Sequence, residues 1–162
     1  MRVQSWDTAI KAGQQHDASA CATFVQREGE HYLLDMQVVR LEYPELKRFV
    51  LRHAQQWNAD AVLMEDKASG QSLLQDLRRE TALPLIGIQP KGDKIARAAR
   101  ASIWLEAGKV ALPEFAPWLA AFEQEIAAFP NGKHDDQVDA LTQYVCWAMD
   151  MTHRPRQNIR RV

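Results

Sequence analysis

The chain has 162 residues, 46% of them apolar and 25% charged, which suits one globular domain with a sizeable core. Its formal net charge of −1 excludes a protein that coats nucleic acid by bulk positive charge. A local basic patch beside an acidic cluster remains compatible with that sum. No apolar run is long enough to span a bilayer, and the first ten residues lack the features of a secretory signal, so no membrane association and a cytoplasmic location are expected.

In chain order, Val3 to Asp7 reads as a short strand. Ala20 to Arg27 and His31 to Leu41 are two further strands, joined through Glu28-Gly29-Glu30 as an antiparallel meander. The period then changes: Leu46, Phe49, Val50, His53, Ala54 and Trp57 recur at helical spacing. Asn58-Ala59-Asp60 ends that helix. Ala61 to Met64 is a short apolar run, a buried strand closing in Glu65-Asp66. A helix over Gln71 to Glu80 and a strand over Leu85 to Ile88 follow. The next helix, stopping near Gly108, is expected to carry Ile95, Ala99, Ser102 and Ile103 on one face. Phe115, Trp118, Leu119, Phe122, Ile126 and Phe129 mark another helix, and the last runs from about His134 to Met149. Three strands, then alternating β and α elements, then helices predict an α/β protein whose mixed sheet is flanked by helices. From His153 the periodicity stops, so residues 1–152 are expected to form the domain and 153–162 a flexible basic tail. Cys21 and Cys146 belong to no Cys/His cluster and are expected in the core, as are the five tryptophans.

The acidic residues fall at places that matter. Asp7 closes the first strand, Glu65 closes the later buried strand, and Asp135, Asp136 and Asp139 open the last helix. Carboxyl ends of strands are where sheet-and-helix proteins place their ligands. At about 100° per residue, Asp136 and Asp139 lie about 60° apart and Asp135 about 40° from Asp139. Asp139 can therefore point away from the Val138/Leu141/Val145 stripe together with a neighbour; Asp136 ranks second, and Asp135 borders the stripe. Carboxylates crowded together repel unless a cation neutralises them. Two divalent ions about 4 Å apart, bound by hard oxygen ligands, would do so and would also suit phosphodiester hydrolysis. Taken singly, each acid has a plainer reading as a cap, a turn or a solvated strand end. Only their combination points to metal.

Five segments carry a resemblance. They are Gln4-Ser5-Trp6-Asp7-Thr8-Ala9, Leu41-Glu42-Tyr43-Pro44-Glu45-Leu46-Lys47, Met64-Glu65-Asp66-Lys67-Ala68-Ser69-Gly70, Lys91-Gly92-Asp93-Lys94, and the stretch from Phe129 to Ala140 around His134-Asp135-Asp136-Gln137-Val138-Asp139. In this order they resemble the nuclease domain of phage terminase large subunits, from about Val3 to Met149. The resemblance implies a ribonuclease-H-like core that cuts concatemeric viral DNA during packaging, with two Mg²⁺ or Mn²⁺ ions as cofactors. It maps the first acidic ligand to Asp7, the second to Glu65 and the third to Asp139 or Asp136. The Holliday-junction resolvases of the same superfamily are similar in having a D-x-x-D pair, which fits Asp136 with Asp139. Double-stranded DNA, an ATPase motor domain, a small terminase subunit and a portal are the partners implied. No motor fits in this chain: Gly87 and Gly92 have P-loop spacing, but Asp93 stands where that loop needs Lys.

Lys91, Lys94, Arg97 and Arg100 form the densest basic stretch of the expected domain. Together with Lys67 they are candidates for the DNA backbone, the first two through the resemblance; a solvated basic face explains Arg97 and Arg100 equally well. Two alternatives stand beside the terminase reading. One is a resolvase- or transposase-like nuclease on the same fold, and the other is a non-catalytic DNA-binding or assembly module.

Overall fold

The structure, a computed structural model, describes residues 1–8, 18–67 and 69–152. The expected basic tail lies outside the described residues. In chain order the elements are β1 (Arg2–Asp7), β2 (Ser19–Arg27), β3 (Glu30–Val39), α1 (Tyr43–Trp57), β4 (Ala61–Glu65) and α2 (Ser69–Glu80). Then come β5 (Leu85–Ile88), α3 (Lys94–Glu106), β6 (Val110–Ala111), α4 (Leu119–Ala128) and α5 (Asp136–Thr152). The six strands form one sheet in the order β5-β4-β1-β2-β3-β6. β1, β2 and β3 pair antiparallel, whereas β4 joins β1, β5 joins β4 and β6 joins β3 in parallel. This is the mixed sheet expected from the element order.

Local chemistry explains the turns. Glu28 and Gly29 both take positive φ, 55° and 85°, the handedness that closes a two-residue hairpin between right-twisted strands. Asn58 ends α1 in the left-handed region, and its N–H bonds the Ala54 and Gln55 carbonyls. Two residues later, Asp60 and Arg2 exchange hydrogen bonds. The Asp60 N–H donates to the Arg2 carbonyl at 2.8 Å, and the Arg2 N–H donates to the Asp60 carboxylate at 2.6 Å. This clamp starts the β1/β4 pairing, which aligns Val3 with Ala61 and Trp6 with Met64.

Alternation along the strands then sorts the side chains into two cores. Trp6, Cys21, Val62 and Met64 pack with α1 and α2 on one face. Val3, Ala22, Phe24, Ala61 and Leu63 pack on the other face with Ala101 of α3, Phe122 of α4 and the buried stripe of α5. Tyr144 anchors α5 there: its ring stacks on Phe24 with centroids 3.7 Å apart, and its hydroxyl lies 2.7 Å from His31 Nδ1. Among the described residues, no helix is long and apolar enough to cross a membrane.

Three expectations are corrected. Ile95 and Ile103 do not face the core; they are 57% and 59% exposed, and Ala101 and Trp104 pack inward instead. The inner face of α3 is built on Ala101, Trp104 and Arg97, so Ile95 and Ile103 misreport which way the helix turns. Phe115 is 90% exposed and precedes α4. Cys146 is only half-buried and lines a cavity, whereas Cys21 is in the core as expected. The two-residue strand β6 has no sequence signal of its own.

Candidate active site

The β1/β4 register decides where the acids go. Trp6 and Met64 are paired and buried against α1 and α2, so the next residues, Asp7 and Glu65, turn to the opposite face side by side. α5 crosses that face. Gln143 fixes its position by donating from Nε2 to the Ser5 hydroxyl at 2.9 Å and to the Trp6 carbonyl at 3.2 Å. One turn earlier on α5, Asp139 therefore comes to the ends of β1 and β4. Asp7, Glu65 and Asp139 line one cavity of about 530 Å³, together with Arg97, Arg100 and Gln143 and an apolar side that includes Ile86, Ile88 and Trp147.

The start of α5 is held from outside. The Glu125 carboxylate of α4 accepts from the N–H groups of Gln137 at 2.7 Å and Val138 at 3.3 Å, and from the Gln137 side chain at 2.6 Å. A carboxylate at this point satisfies free N–H groups and meets the positive end of the helix dipole. The end of β4 is held by close packing instead. A Cβ on Gly70 would lie 2.2 Å from the Glu65 carbonyl oxygen, so only glycine lets α2 begin against this strand.

Charge is concentrated here. Burial pushes the Asp7 carboxyl well above its ordinary range, and Asp139, Asp136, Glu65 and Asp135 push it further. Burial also raises Glu65, with Arg97 opposing and Asp139 adding. Asp139 is raised by burial and lowered by Arg97. Asp136 is raised by burial and then by Glu125; it adds to the field at Asp7 without lining the cavity.

The expected DNA-contacting cations are mostly engaged. Lys94 pairs with Asp135, Arg97 with Asp139 at 2.9 Å, and Lys91 with Asp150 at 3.3 Å. Arg100 also pairs with Asp150, so α3 and α5 meet through a row of ion pairs. Lys67 is exposed and makes no ion pair with a described residue. Asp93, which spoils the P-loop spacing, caps α3 by accepting from the Ala96 N–H at 2.8 Å.

Hard oxygen donors with raised pKa values, brought together from two strand ends and a helix, fit a divalent cation by their chemistry. Among the described residues, no three His, Cys, Asp or Glu side chains converge closely enough to hold one ion as they stand. Gln143, Glu125 and the inward turn of Arg97 were not singled out from sequence, and Gly70 entered only as the end of a segment that carries the resemblance. Gln143 lies four residues after Asp139 on the same helical face, a usable signal. Glu125 acts across two helices and leaves none.

The sequence matches the family described as Terminase RNaseH-like domain over residues 4–148. No curated protein matches it. Among solved structures, the chain is similar to the large terminase nuclease from thermophilic phage G20c with bound zinc, at 14% identity and a TM-score of 0.70 over 88% of this chain and 78% of that one. The same nuclease is also known with bound cobalt and with bound magnesium. The human cytomegalovirus terminase nuclease domain aligns at 10% identity and a TM-score of 0.66, over 93% of this chain and 85% of that one. The large terminase of another thermophilic bacteriophage, in complex with ADP, aligns at 14% identity and a TM-score of 0.66. That alignment covers 89% of this chain and 38% of the longer one.

Proposed function

Because the chain belongs to the terminase RNaseH-like domain family and has the fold of terminase nucleases, we propose that it is the nuclease domain of a phage large terminase, cutting concatemeric viral DNA during genome packaging. The supporting observation is that Asp7, Glu65 and Asp139, far apart in sequence, line a single cavity. These three, with Asp136 beside them, are the ligands we assign to two Mg²⁺ or Mn²⁺ ions. Bound there, the ions supply an activated water and charge stabilisation for in-line hydrolysis of the phosphodiester. The chain's own part is positioning. Two strand ends hold Asp7 and Glu65, and Gln143 keeps α5 in the register that presents Asp139.

Lys67, Lys91, Lys94 and Arg97 are the residues we assign to the DNA backbone. For the last three, contact with phosphate means exchanging an existing carboxylate partner. The nuclease unit is taken as residues 1–152, with 153–162 a basic tail, acting in the host cytoplasm. In the assembled enzyme an ATPase motor domain, a small terminase subunit and a portal are its partners. Similarity to a longer ADP-bound large terminase, of which this chain covers 38%, is consistent with that division of labour.

Plasmid nicking tests the reading. Wild-type protein is expected to nick supercoiled DNA with Mg²⁺ or Mn²⁺ and to stop with EDTA. Asp7→Asn or Glu65→Gln should lower the rate by more than roughly 100-fold, beyond the 10–100-fold cost of disturbing residues around a metal site. Full activity in either variant would reject the assignment. Preference for four-way junctions over linear duplex would favour a resolvase-like enzyme instead.

A further inference from the structure

We propose that Arg97 is the resident counter-ion of the carboxylate site, displaced from Asp139 by the incoming divalent ion and thereby made available to the DNA phosphate. The inference rests on the nuclease reading above and assigns Arg97 a positioning role within it.

Geometry singles this arginine out. Its Nη2 lies 2.9 Å from Asp139 Oδ1, and the two side chains are only 18% and 19% exposed. It is also the cation that most favours the ionised form of Glu65. Arg97 therefore serves two of the four acids that line the cavity, Asp7, Glu65, Asp139 and Asp150. Its neighbours on α3 have their ion pairs elsewhere. Lys94 pairs with Asp135, which is outside the cavity lining, and Arg100 pairs with Asp150, which lines the cavity but is not among the acids that act on Asp7.

A guanidinium and a divalent cation compete for one carboxylate, because like charges at close range repel in a partly desolvated site. As the side chains stand, no three acids among the described residues converge on one point. The Arg97 bond occupies Asp139 Oδ1, so an ion drawn to this carboxylate competes with the guanidinium for it. The released side chain has a second hold: its Nη1 already donates to the Gly92 carbonyl at 3.3 Å, at the loop before α3. From there the planar fork of N–H donors remains beside the cavity, with the geometry that suits a phosphate. Metal binding and DNA binding would then be coupled through one side chain.

The test is calorimetric titration of Mn²⁺ into the metal-free protein, paired with binding of a short DNA duplex in Ca²⁺, which holds cleavage off. In Arg97→Gln, Mn²⁺ should bind on the order of tenfold more tightly, while duplex affinity in Ca²⁺ falls severalfold. Arg100→Gln removes the same charge from the same cavity and should change Mn²⁺ affinity less than about twofold. Opposite signs for metal and DNA are the signature, since a purely structural arginine would weaken both. The wild-type protein gives an independent reading: the guanidinium NMR signal of Arg97 should shift on saturation with Mg²⁺. Unchanged or weaker Mn²⁺ binding in Arg97→Gln overturns the proposal. Equal tightening in Arg100→Gln, or an Arg97 signal that stays put at saturation, does the same. If such results come from a protein that still cuts DNA, they leave the nuclease reading intact. Wild-type protein that neither binds Mn²⁺ nor cuts would remove both.

Discussion

At Asp7, burial and four neighbouring carboxylates oppose ionisation. A raised carboxyl pKa means that the folded chain binds more protons than the unfolded one. Its contribution is favourable below the ordinary carboxylate range and is lost as pH rises through the folded value. In metal-free buffer at pH 7–8, Asp7→Asn should therefore raise thermal stability rather than lower it. A gain of about 2–4 °C in Tm corresponds to about 1 kcal/mol in a domain of this size. Below about pH 4 the advantage should vanish. A variant less stable than wild type at neutral pH would show that Asp7 holds the fold together, not a ligand. The position of Asp7 was legible in the sequence because a short strand ended on it, and that of Glu65 because a short apolar run, Ala61 to Met64, ended on it. Arg97 was not, because its role depends on which way α3 is turned, and Ile95 and Ile103 pointed to the wrong side.

Among the elements, α5 is the one on which the site turns. Its apolar stripe and acidic first turn were readable from spacing, and Val138, Leu141, Val145 and Met149 are all buried as that spacing requires. What holds its N-terminus was not readable, since Glu125 reaches it from a different helix. Removing that carboxylate leaves helix N–H groups without their partner, a loss of about 1–2 kcal/mol by analogy with ordinary capping residues. Glu125→Ala should accordingly lower the urea midpoint at unchanged m-value. It should also slow nicking, because the turn that fraying would release carries Asp136 and Asp139. Unaltered stability would mean that water replaces the cap without cost. α3 shows the complementary case. Its contact with α5 is made by ion pairs and small residues, and an apolar pattern cannot announce such an interface.

At the scale of the whole molecule, two of the five histidines, His31 and His53, are buried on opposite faces of the sheet, where burial lowers both below the ordinary value of 6.5. Here the sign is reversed. Below pH 6.5 the unfolded chain takes up protons that the folded chain resists, so stability should decline as pH falls from there toward the lowered values. Chemical denaturation between pH 7 and 5 measures this, and replacing His31 by Gln should flatten part of the slope. A slope that persists unchanged would place the acid sensitivity elsewhere. At this scale the mixed sheet with helices on both sides followed from the order of elements alone. The fifteen-residue α1 and the β2–β3 hairpin were nearly complete in the sequence, whereas the edge strand β6 exists only through its neighbours. The reciprocal bonds between Arg2 and Asp60 have a long reach. They sit at the opposite end of β1 and β4 from Asp7 and Glu65, and they act as the zero mark of a ruler whose last graduation is the pair of acids. A chain that slipped by one residue at that mark would keep its strands and most of its hydrogen bonds, yet one acid would be turned to the wrong side of the sheet.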